Sequence, residues 1–194
     1  MSTAPARRLT AQEYLRIERA SVDQKHEFYA GEMFAMAGES FAHSTISAQI
    51  IRLLGNALDE SPCDTHTSDM RVKVERTGLM TYPDASVSCG DPKFEDGHKD
   101  MLLNPVLVVE VLSKSTENND RTRKFDHYRQ IPSLREYLLV AQDEPRIDRF
   151  SLMADGRWAL DSAEGLGAAI RVDVADAELP LAEVYRRVTF GEDS

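Results

Sequence analysis

Glu110 stands inside the most apolar run of the chain, Val106-Leu-Val-Val-Glu110-Val-Leu112. An unpaired carboxylate buried there would be very costly. It must either meet a cation or sit where the strand opens onto a site, and buried ionisable groups tend to mark sites. A salt bridge to a neighbouring Arg or Lys is the structural alternative. Asp84 follows Pro83 in a second strand-like segment, 26 residues before Glu110. If the two strands pair, the carboxylates converge and repel. A divalent cation removes that conflict, which is why acidic pairs on adjacent strands commonly hold Mg²⁺. Taken alone, Asp84 is equally well a strand-start residue after a proline. Lys124 lies 14 residues after Glu110, in a helical segment. Asp120 and Lys124 are four apart and share a helix face, so a surface ion pair accounts for them plainly. The chemical account is a lysine directed back at the carboxylates, positioning a water and offsetting charge that develops on a phosphate.

The elements that would carry these residues follow from pattern. Thr10-Ala-Gln-Glu13 has capping-box spacing and starts a short helix through about Arg19. His26 to Tyr29, the Ala30-Gly31 turn and Glu32 to Ala37 read as a hairpin. Ile46, Ile50, Leu53, Leu54, Ala57 and Leu58 follow the helical period in a helix from about Ala42 to Asp59. Asp64 to Val74 alternates as one strand, Tyr82 to Cys89 as another, and Pro105 to Leu112 has the near-continuous apolar content of a central strand. A helix over Glu117 to Gln130 follows, capped by Ser115 or Thr116 and stopped by Pro132; Phe125 and Tyr128, three apart, form its buried face. Arg135 to Ala141 is a strand. Arg146 to Met153, Trp158 to Asp161 and Ala169 to Val174 read as a meander, and Leu179 to Arg187 as a closing helix. The order predicts one α/β domain over 1–194 (core about 10–190), a mixed sheet flanked by helices with a β-rich C-terminal extension.

Composition bounds the reading. A chain of 194 residues suits one domain with a sizeable core. No apolar run approaches the roughly 20 residues that span a bilayer, so no membrane partner is expected. Cys63 and Cys89 are too few for a disulfide framework and too far apart for a zinc knuckle, which reads as a reduced, cytoplasmic setting. The net charge of −10 argues against an extended basic face for duplex phosphates. A local one exists: Lys114 to Arg129 carries +2, against −12 for the remainder.

Tyr82-Pro-Asp84, Pro105-Val-Leu-Val-Val-Glu110-Val-Leu-Ser-Lys-Ser-Thr116, Asp120-Arg-Thr-Arg-Lys124 with Tyr128, and Glu136-Tyr-Leu-Leu-Val140 resemble the Uma-two family. This is a large bacterial family with a restriction-endonuclease-like fold, within the PD-(D/E)xK nuclease superfamily. The resemblance runs from roughly Thr10 to Phe190 and is most specific between Pro105 and Val140. It implies a further acid at Glu27, in Lys25-His-Glu27-Phe-Tyr-Ala-Gly31-Glu32, and matches His43 to a position where the family often has histidine. Two departures stand out. Leu112 replaces the lysine that the superfamily usually carries two residues after the glutamate, so Lys124 would supply it from the next helix. Lys114 stands where proline is common.

The resemblance implies a metal-dependent endonuclease acting on nucleic acid, DNA foremost, and a homodimer as an option. Asp84, Glu110 and the Val111 carbonyl would ligate Mg²⁺ or Mn²⁺, and Lys124 and Glu27 would complete the catalytic set. Arg121, Arg123 and Lys114 would contact phosphate at the helix start. His43 is an accessory candidate for proton transfer or substrate contact, with a helix cap or packed side chain as the alternative. Asp69 is an accessory acid. His26, His66, His98 and His127 lack metal-ligand spacing and read as structural or exposed. Two rival readings share the fold: a catalytically silent nucleic-acid-binding or interaction module, and a small-nucleotide phosphohydrolase that needs no extended basic surface.

Overall fold

The computed structural model describes residues 8–113 and 120–190, and the side chains from residue 122 onward in the second stretch. Helix α1, Ala11–Ala20, begins as its sequence dictates: the Thr10 hydroxyl accepts from the Glu13 N–H, and the Glu13 carboxylate accepts from the Thr10 N–H. Strands β1, His26–Tyr29, and β2, Glu32–Ala35, form a hairpin. Its two-residue turn has positive φ at both Ala30 and Gly31, a turn whose twist matches the flanking strands. Helix α2, Phe41–Leu58, starts at Ser40, whose side chain accepts from the His43 N–H.

Seven strands follow: β3, Cys63–Thr67; β4, Arg71–Val74; β5, Leu79–Thr81; β6, Ala85–Cys89; β7, Met101–Leu102; β8, Leu107–Leu112; and, after the helical segment, β9, Glu136–Ala141. Strands β10, Arg146–Leu152, and β11, Trp158–Glu164, extend β9 as an antiparallel meander. Strands β12, Ala169–Val172, and β13, Ala177–Pro180, make a separate hairpin, and the short helix Leu181–Val184 closes the fold. The central sheet runs β11-β10-β9-β8-β6-β3; a five-stranded sheet runs β2-β1-β5-β4-β7. Within the central sheet β8 and β9 are parallel and joined through the helical segment, whereas β6 and β8 are antiparallel.

Apart from Glu110, strand β8 is apolar because both faces are covered. Leu107, Val109 and Val111 pack under α2 and the C-terminal hairpin, while Val108 and Leu112 pack against Tyr128, Ile131, Leu134 and the five-stranded sheet. Ala85 and Val87 share one cluster, as their alternation requires. Glu136 fastens the C-terminal hairpin. It accepts from the N–H groups of Asp173 and Val174 and pairs with Arg149, which also reaches Asp161. Burial pushes the Glu136 carboxyl upward, opposed by those backbone bonds and the guanidinium.

Several expectations change. The stretch read as one strand from Asp64 to Val74 is two, in different sheets. The chain turns at Thr67–Met70, where the Met70 N–H meets the Thr67 carbonyl and Lys25 reaches the Ser68 carbonyl. The apolar alternation of Met70, Val72 and Val74 does not reach back across that turn: Asp64 to Asp69 are all polar, and Thr67-Ser68-Asp69 are turn-forming types. Tyr82-Pro83-Asp84 is likewise outside β6: it is the corner where the chain leaves the five-stranded sheet for the central one. The helix expected from Glu117 is described from Asp120, as a π-helical turn, Asp120–Lys124, running into α3, Phe125–Tyr128; its start and the Ser115 or Thr116 cap lie outside the described residues. The closing helix is preceded by β13, which takes Leu179 into a strand. Cys63 and Cys89 are opposite one another in the β3–β6 register and form a disulfide, so the reduced pair expected from their number is replaced by a cross-strand link that sequence separation hides. Among the described residues no helix is long and apolar enough to cross a membrane.

Candidate active site

Two elements deliver the acidic pair. The β6–β8 ladder ends at Ala85 opposite Val109, and the next residue on each chain is Asp84 and Glu110. Both are buried. The Val111 N–H donates to Asp84 Oδ2 at 2.6 Å, so the corner after Pro83 is fixed to β8 by the side chain itself. The first acid is thus held by the backbone of the residue that follows the second.

Glu110 points to the helical side of the sheet. Its Oε1 accepts from the Tyr128 hydroxyl at 2.7 Å and lies 3.2 Å from the Lys124 ammonium. Lys124 and Tyr128 are four apart, so one helix face presents both groups to the same carboxylate. Burial, then the charge of Glu110, holds the Tyr128 phenol well above its ordinary range, so it remains a proton donor in this contact. The same ammonium is 3.0 Å from Glu27 on β1. Glu27 also accepts from the Thr81 hydroxyl at the end of β5. One cation therefore joins an acid of the five-stranded sheet to an acid of the central sheet.

His43 comes from the first turn of α2. Its Nε2 is 3.3 Å from Asp84 Oδ2 and its Nδ1 is 3.2 Å from Glu39 Oε2. Burial alone would lower the imidazole pKa, but contact with Asp84 and the charge of Glu39 outweigh it and leave it raised. Glu27, His43, Asp84, Glu110, Val111 and Lys124 all line one pocket of about 360 Å³, completed on the hairpin side by Phe34 to Ser40 and elsewhere by Tyr82, Ser113 and Gln142.

The other sequence candidates fall as follows. Asp69 is exposed and paired with Lys25 at 2.6 Å, away from this pocket. Arg123 is exposed on the π-helical turn. Lys114 and the side chain of Arg121 lie outside the described residues. His26 contacts Glu18, His66 contacts Ser88, His98 is exposed beside Asp96, and His127 packs on the edge of Tyr29. Tyr82 is a wall of the pocket and donates to Glu18. Sequence reading passed over Glu39 and the bond from Tyr128 to Glu110. Both had a signal, since Glu39 is four residues before His43 and Tyr128 four after Lys124.

The fold is mixed α/β, with the acidic pocket where its two larger sheets meet. In a solved structure titled as a "putative nuclease belonging to DUF820" from Anabaena variabilis, the same architecture recurs with a TM-score of 0.75 and 15% identity, covering 91% of this chain and 97% of that one. A family model described as "Uma2: Putative restriction endonuclease" matches residues 11–182, and the chain belongs to that family. It is 37% identical to uncharacterized protein slr1290 of Synechocystis sp. over 97% of both chains. It is 36% identical to uncharacterized protein sll1609 of the same organism, over 88% of this chain and 96% of that one.

Proposed function

We propose that the protein is a metal-dependent endonuclease that hydrolyses phosphodiester bonds in nucleic acid, DNA foremost. The observation that carries this reading is Lys124. Its ammonium is held between Glu27 and Glu110 at 3.0 and 3.2 Å, in the pocket that also contains Asp84. A lysine fixed among acids beside a solvent-reached pocket suits a site that must neutralise developing phosphate charge.

The donor set fits a divalent cation. The described contacts of the Asp84 carboxylate fall on Oδ2, which leaves Oδ1 as the oxygen for a metal. Asp84, Glu110 and the Val111 carbonyl would hold Mg²⁺ or Mn²⁺, both of which take oxygen ligands. Such a cation lowers the pKa of a bound water and polarises a phosphoryl oxygen. The chain's own groups do the rest. Lys124 orients the attacking water and offsets charge on the phosphate. Tyr128 fixes the Glu110 carboxylate through a hydrogen bond. Glu27 holds Lys124 in place from the opposite sheet. Arg123, with Lys114 and Arg121, would bind flanking phosphates.

Incubating end-labelled single-stranded DNA, duplex DNA and RNA with Mn²⁺, Mg²⁺ or EDTA tests the reading. Cleavage that needs the cation and disappears in Glu110→Gln is expected. Cleavage unchanged by that substitution, or absent from every substrate, would refute it. The net charge of −10 favours a second substrate class, small nucleotides, which need no extended basic face. Mononucleotides that are themselves hydrolysed, and that compete with oligonucleotides, would establish it.

A further inference from the structure

We infer that Glu39, His43 and Asp84 form a second cation position, on the α2 side of the pocket, suited to a transition metal such as Mn²⁺. It rests on the reading above only through Asp84, which would stand between the two positions.

Three observations carry it. The Glu39 and Asp84 carboxylates and the His43 imidazole each offer a ligand atom within 4.8 Å of the others. Ligands at about 2.0–2.2 Å from one ion can stand up to roughly 4.4 Å apart, so small side-chain adjustments close the set. His43 is 7% exposed, and among the described residues its Nδ1 has no hydrogen-bond partner, although Glu39 is 3.2 Å away. The imidazole thus stands between two carboxylates with a buried nitrogen whose bonding capacity no hydrogen bond among the described residues uses. Finally, the arrangement is built rather than incidental. Ser40 caps α2 through the His43 N–H, which fixes the histidine in the first turn and leaves Glu39 just ahead of the helix.

Glu110 is outside this set: its described contacts go to Tyr128 and Lys124, across the pocket. The two positions therefore differ in chemistry. Oxygen ligands alone serve Mg²⁺, whereas an imidazole with two carboxylates favours Mn²⁺ or Zn²⁺. Two cations sharing an acid are the arrangement that clamps both the attacking and the leaving oxygen in phosphoryl transfer. Glu39, more exposed than the other two, would be the ligand that admits the ion.

Mn²⁺ titrated into the whole protein and read by pulsed electron paramagnetic resonance tests this without recourse to activity, because an imidazole ligand imprints nitrogen-14 modulation on the Mn²⁺ signal. Nitrogen coupling is expected in the wild type and in Glu110→Gln, and is expected to vanish in His43→Ala. Should His43→Ala fail to fold, Glu39→Gln serves instead. It is expected to weaken Mn²⁺ binding by about tenfold or more, at least the loss that follows removal of an outer-shell partner, and unchanged affinity overturns the inference. Bound Mn²⁺ without nitrogen coupling overturns it while leaving the site at Asp84 and Glu110 standing, provided Asp84→Asn abolishes that binding. Absence of any Mn²⁺ binding in the wild type overturns both.

Discussion

The Val111 N–H donates to the Asp84 carboxylate at 2.6 Å, which ties the first acid of the pocket to the backbone beside the second. Asp84 is thus both a structural acceptor and a metal-ligand candidate, and the two roles separate by substitution. Asp84→Ala would strand a buried N–H, at a cost of about 1–3 kcal/mol. Asp84→Asn keeps an acceptor for it. The Asp84→Asn variant is expected to unfold in urea within about 1 kcal/mol of wild type yet to lose Mn²⁺ binding by calorimetry. Retained binding would remove Asp84 from the metal site.

Lys124 bridges Glu27 and Glu110. Lys124→Met should lower the cleavage rate on the order of 10²-fold or more, the scale of losing one preorganised charge at a developing anion. Lys124→Arg should not restore it, because a planar, branched guanidinium does not reproduce a compact ammonium. Steady-state kinetics on one labelled oligonucleotide, with melting temperatures as the folding control, reads both.

Arg149 contacts Glu136 at 3.2 Å beneath the C-terminal hairpin. Arg149→Met leaves Glu136 buried beside backbone donors but without its cation. Removing one partner of a buried pair costs about 3–5 kcal/mol, and urea unfolding should show a loss near the lower end, since Asp173 and Val174 still donate to Glu136. Mn²⁺ binding should not change; a matching loss of binding would mean the hairpin and the pocket are coupled.

His66 donates to or accepts from Ser88 across β3 and β6, and burial lowers its pKa below the ordinary 6.5. A folded value below the unfolded one means the unfolded chain takes the proton first. His66 therefore contributes stability that is present above pH 6.5 and lost as the pH falls from there through the depressed folded value. Replacing it by Gln should flatten the decline in unfolding free energy over that interval. An unaltered decline would assign the pH dependence elsewhere.

Glu110 was conspicuous because a carboxylate inside Val106 to Leu112 demands a partner, whereas Asp84 stood out only beside it and through the family resemblance. The family resemblance then singled out Lys124 from an ordinary i,i+4 pair. The corners were not legible. Thr67-Ser68-Asp69 are turn-forming types, but that the chain changes sheets at Ser68 depends on backbone and Lys25 contacts made only after folding. The link between Cys63 and Cys89 depends on strand register, which local pattern leaves open. Glu39 escaped notice for a related reason. It precedes the helix and gains meaning only when His43 is turned toward Asp84.

A crystal soaked in Mn²⁺ and measured at the manganese absorption edge tests the central claim most directly. The account predicts an anomalous peak bounded by the Asp84 carboxylate, the Glu110 carboxylate and the Val111 carbonyl, at ligand distances of about 2.0–2.2 Å. Density in which Lys124 still fills the space beside Glu110 and no peak lies near Asp84, at a Mn²⁺ concentration that saturates the crystal, would contradict it.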